Sequence, residues 1–76
     1  MRVTEERLEE GFYKAALFLK DMMEKHGWVW TSNFLREYVR SAFGFEFGNS
    51  KSPRMLRKVR SSHPELKDII KIEGEE

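Results

Sequence analysis

"NSKSPRMLRKVRSS", residues 49–62, carries five basic residues and no acid in fourteen positions. Met55, Leu56 and Val59 are spaced to share one side of a helix, which leaves the cations on the other. Ser52 followed by Pro53 predicts where that helix starts. Serine accepts a hydrogen bond from the first free amides, and proline at the first position gives up no bond the helix would make. His63 precedes Pro64 and is biased toward extended backbone, so the helix is expected over 53–62. At about 100° per residue, Met55, Leu56 and Val59 face a core. Arg54, Lys58 and Ser61 form a row on the other side, with Arg57 and Arg60 flanking. Such a helix is either presented to a nucleic acid or merely a solvated basic surface. What surrounds it decides.

Upstream, Thr4 is a candidate cap for a helix over about 4–26. Glu5 and Glu6 stand where the positive end of the helix dipole favours acids. Leu8, Phe12, Ala15, Ala16, Leu19, Met22 and Met23 recur at three- and four-residue steps, and Gly27 follows the basic last turn of Lys25 and His26. Tyr13, Leu17 and Phe18 widen the apolar face beyond one stripe, enough to line a second side of the core or a homodimer contact. "WVWT" alternates aromatic and β-branched residues and predicts a strand at 28–30. A second helix is expected over about 32–43, with Phe34, Leu35, Tyr38, Val39, Ala42 and Phe43 on one side and Arg36, Glu37, Arg40 and Ser41 on the other. Phe45 and Phe47 alternate with Glu46, so both rings can tuck inward before "GNS" turns the chain. At the end, Leu66, Ile69 and Ile70 have helical spacing, while "IIKIEG" favours a strand. A turn and then a strand at about 69–73 is expected, before an acidic tail at 74–76.

Seventy-six residues make one domain that must spend most of its apolar side chains on packing. The chain has no cysteine, so disulfides and thiolate metal sites are excluded. No apolar run approaches the ~20 residues of a membrane span, and the acidic start does not suit a signal peptide; a soluble, cytoplasmic protein is expected. The net charge of +1 conceals an uneven distribution. Residues 1–27 sum to −1, residues 28–63 to +5 and residues 64–76 to −3. A local excess of this kind speaks to partners rather than to fold.

In its element order (helix, short strand, helix, connection, basic helix, strand) and in the run from "GWVWTSNFLREYV" to "SPRMLRKVRS", the chain resembles the winged-helix family of helix-turn-helix DNA-binding domains. The resemblance implies a mainly α fold with a small β element, helix-strand-helix-helix-strand, and a reduced wing. It also implies that the third helix enters the major groove of duplex DNA, as in a small transcriptional or replication regulator. Arg54 and Arg57 are then candidate base readers, since the planar guanidinium reaches two acceptors on guanine. Lys51, Ser52, Lys58 and Arg60 are candidate phosphate contacts, helped by the free amides of the helix start, and Ser61 lies in the same outward row. Arg36 and Arg40 of the second helix are placed to grip the backbone.

Two other readings use the same residues. A protein-interaction adaptor or inhibitor would turn the basic helix to an acidic partner. An RNA or single-strand binder would stack bases on Trp28, Trp30, Phe45 or Phe47, although a domain this small needs such rings for its core. His26 and His63 are a helix-end and a turn residue with no second ligand at metal spacing. Adjacent carboxylates such as Glu9 and Glu10 point apart, and no serine has an activating partner or glycine-framed elbow. Neither enzyme chemistry nor a cofactor is expected.

Overall fold

A computed structural model describes residues 3–28, 32–48 and 50–71. It contains α1 (Glu5–His26), α2 (Ser32–Phe43), α3 (Lys51–Ser62) and a single 3-10 turn at Pro64–Leu66. The domain is therefore mainly α, as the spacing predicts. Among the described residues no strand forms, and Glu46 holds an isolated β-bridge.

Helix α1 is the spine. The Thr4 hydroxyl accepts from the Arg7 amide at 3.3 Å, and Gly27, at φ 68°, closes the other end by donating to the Met23 carbonyl. At about 1.5 Å per residue its 22 residues run the length of the molecule, whose longest extent is 34 Å. Leu8, Phe12, Ala15, Ala16 and Leu19 are buried along one stripe. On one flank α2 returns antiparallel, since Tyr38 stacks on Phe18 while Phe43 and Phe45 lie near Gly11, a turn and more earlier. On the other flank α3 runs parallel, because Arg54, Lys58 and His63 meet Glu5, Glu9 and Tyr13 in order.

Gly11 has a packing reason. A Cβ there would lie 2.7 Å from Cε2 of Phe45, whose ring covers the helix backbone at this point. The cost of a glycine in mid-helix, about 1 kcal/mol, is offset by seating that ring. Gly11→Val is expected to lower stability by about 1–3 kcal/mol despite removing the glycine. A thermal melt that rises instead would show that the Phe45 ring is not seated there.

Helix α2 buries less than its apolar spacing suggests. Leu35 and Val39 are fully buried, Tyr38 half-buried, and Phe34, Ala42 and Phe43 exposed. Gly44, at φ 67°, ends it. Phe45 and Phe47 do pack inward: Phe47 meets Phe12 edge-on at 5.5 Å and Phe45 stacks on Phe43.

Helix α3 starts at Lys51, two residues before the expected 53. Ser50 is the cap residue but makes no side-chain capping bond, and Ser52 is buried at 3 % exposure. Pro53 thus falls at the third helical position. Its missing amide still costs nothing, because the first-turn amides have no intrahelical acceptor. Met55, Leu56 and Val59 are buried, as their spacing requires.

The strand expected at 69–73 does not form over its described part, 69–71. Pro64–Leu66 is a 3-10 turn, and the amides of Ile69 and Ile70 both donate to the Leu66 carbonyl at 3.0 and 2.9 Å. Leu66 and Ile70, four apart, are buried together, so helical spacing overrides the β preference of the isoleucines. Residues 72–76 lie outside the described set, as do 29 and 30 of the strand expected at 28–30; its remaining residue, Trp28, is exposed and outside any strand.

Candidate nucleic-acid interface

Because Ser52, Met55, Leu56 and Val59 anchor α3, its remaining faces are set by helical geometry. Arg57 and Ser61 lie farthest from the core and are exposed. Arg54 and Lys58 lean toward α1, where a ladder of contacts meets them. Arg54 Nη2 is 2.6 Å from Glu5 Oε1, Lys58 Nζ is 3.6 Å from Glu9 Oε2, and the Tyr13 and His63 rings stack at 3.7 Å. The ladder's two ionic rungs follow from parallel helices with matching four-residue steps, Glu5 to Glu9 and Arg54 to Lys58, while His63 lies five residues on, just past the end of α3. Both ionic rungs stay at the surface: Arg54 and Glu5 are 62 % and 51 % exposed, and Lys58 is exposed over a half-buried Glu9. Such pairs contribute about 0–1 kcal/mol each.

The expected site residues therefore separate into two groups. Arg54, Arg57, Lys58 and Ser61 share the outer half of α3, with half-buried Lys51 at its start. Ser52 is turned into the core and is removed from the phosphate-contacting set. Arg60, on the far flank, donates to the Ile70 carbonyl at 3.4 Å and ties the C-terminal segment down. Arg40 donates to the Phe47 carbonyl at 2.8 Å and to Glu37 at 2.9 Å, and lies over the Phe47 ring. Arg36 also meets Glu37, at 3.3 Å. Arg40 and Arg60 thus each hold a backbone carbonyl of a connecting segment, whereas Arg36 makes an exposed surface contact with its chain neighbour.

Sequence reasoning missed Glu5 and Glu9 as partners: it reads Glu5 only as a helix-start acid, and Glu9 only as a carboxylate that points away from its neighbour Glu10. Their four-residue spacing matches that of Arg54 and Lys58, but the match means nothing until α1 and α3 are known to run parallel. Tyr13, read as lining either a second side of the core or a dimer contact, is half-buried and stacks on His63. Leu17, Phe18 and Trp28 are 38 %, 40 % and 50 % exposed. Glu10 and Lys14 pair on the outer side of α1 at 2.9 Å, which holds the Glu10 carboxyl below its usual range. Among the described residues no cluster of three histidine or acidic side chains could hold a metal, and no helix is long and apolar enough to cross a membrane.

No protein-family model matches the chain, and no curated protein or solved structure matches it significantly.

Proposed function

We propose that the chain is a small DNA-binding module of the winged-helix type, with a reduced wing, that docks α3 in the major groove as a transcriptional or replication regulator. The observation that carries this reading is the division of α3 itself. One side is wholly buried, and the outward side bears Arg54, Arg57, Lys58 and Ser61 with no acid of its own. At about 1.5 Å per residue its twelve residues span a groove about 12 Å wide with a turn to spare. Arg54 is held by the exposed Glu5 carboxylate and Lys58 by the half-buried Glu9, surface pairs that phosphates of a duplex can displace at small cost.

Arg57 reads base edges from the outermost position, while Arg54, Lys58 and Lys51 engage phosphates. With about three phosphates neutralised, raising salt from 50 to 200 mM should weaken binding by roughly 40-fold. Fluorescence anisotropy of a labelled duplex titrated with the protein at both salt concentrations tests this. No binding at the lower salt, or binding indifferent to salt, overturns it. Trp28→Ala should leave duplex affinity unchanged; a loss confined to single strands would favour base stacking on that ring instead.

A further inference from the structure

The outer face of α1 bears a pattern of charges that is complementary to itself when reversed. We propose that the protein forms a two-fold dimer across this face, with the axis passing between Leu17 and Phe18 and the two α1 helices antiparallel.

Lys14, Leu17, Phe18 and Asp21 fall at i, i+3, i+4 and i+7, so they share one face of the helix. Leu17 lies opposite the buried stripe of Leu8, Phe12, Ala15 and Leu19, and Phe18 on the flank toward α2; the two, at the centre of the face, are 38 % and 40 % exposed. The Phe18 ring is backed by Tyr38, stacked behind it at 5.4 Å. The four positions are symmetric about their midpoint. A perpendicular two-fold axis there sets Leu17 against the partner's Phe18, Lys14 against the partner's Asp21 and, one turn out, Glu10 against the partner's Lys25. Apolar meets apolar, and every charge meets its opposite. A parallel pairing would set each charge on its like.

The charges are already oriented for this. Glu10 pairs with Lys14 at 2.9 Å and Asp21 with Lys25 at 3.1 Å within the helix. Bringing two copies together closes each pair of pairs into an alternating ring of four, without breaking either. The same patch serves both copies, as a two-fold interface demands. A second copy is thus the occupant whose chemistry fits. The inference is independent of DNA binding, because the face lies on the side of α1 away from the core that holds α3. A single helix crossing is smaller than a standard interface, so a reversible dimer with Kd of about 10–100 µM is expected.

Sedimentation equilibrium of the full chain without nucleic acid tests it. The wild type should dimerise, and Leu17→Lys should raise Kd at least tenfold with its circular dichroism unchanged. The quadruple variant E10K/K14E/D21K/K25E retains every pair within and between helices, so it should dimerise with itself. Mixed with wild type it sets like on like, and fluorescence energy transfer between the two labelled chains should be absent. A wild type that is monomeric at about 1 mM, a dimer that Leu17→Lys leaves intact, or free mixing of the two chains overturns the proposal.

Discussion

Phe12→Ala is expected to remove about half of the free energy that holds this domain together. The side chain is fully buried in mid-stripe on α1, and truncating a buried phenylalanine costs about 3–5 kcal/mol. At about 0.05–0.15 kcal/mol per residue, a chain of 76 residues holds only about 4–11 kcal/mol in total. The loss also spreads. The Phe12 ring supports Phe47 edge-on, and Phe47 in turn carries Arg40, which lies over its ring and donates to its carbonyl. Removing the support loosens the connection that leads into α3. A urea melt of Phe12→Ala beside Leu17→Ala measures the effect. Leu17 lies on the outer face of the same helix, and its truncation should change stability by no more than about 0.5 kcal/mol. Equal losses from the two would mean that the buried face of α1 is wrongly assigned.

That test rests on a part of the fold that was legible in the sequence. The Thr4 cap, the apolar stripe and Gly27 all point to one helix with one inward face, so local and tertiary signals agree. The inward face of α3 was legible for the same reason. Its start was not, because "SPR" is a good capping signal locally while Ser52 finds a buried position in the assembled domain. Helix α2 was read too wide. Apolar Phe34 and Phe43 sit on its edges and stay exposed, and full burial is confined to the Leu35 and Val39 line among its described side chains. The C-terminal isoleucines favour a strand by residue type, yet the four-residue step from Leu66 to Ile70 lets both bury at once. The acids beside the basic helix were the least legible of all, since Glu5 and Arg54 meet across 49 positions of sequence. Register between helices is a tertiary property, and no window of the chain contains it.

Those acids make the second large effect a pair of opposite signs. Arg57→Glu should weaken duplex binding by at least tenfold at 50 mM salt, because it places a negative charge where the proposed docking brings α3 nearest the duplex, worth more than one lost phosphate contact. Its cost in stability should be small, since the side chain is exposed and surface substitutions usually stay within about 0.5 kcal/mol. Replacing Glu5 and Glu9 by glutamine should do the reverse. Arg54 and Lys58 lose carboxylate partners at 2.6 and 3.6 Å, and the repulsion between those carboxylates and the approaching phosphates disappears. Affinity should rise about three- to tenfold at low salt, and the salt slope should steepen by about one phosphate or more as the freed cations release counterions. The stability lost with two surface pairs is about 0–2 kcal/mol, so the variant should remain folded. The same anisotropy titration reads both variants. If E5Q/E9Q binds duplex no more tightly than wild type, Arg54 and Lys58 do not face the phosphates. If Arg57→Glu binds as wild type does, α3 is not the helix that meets the duplex, whatever its charge.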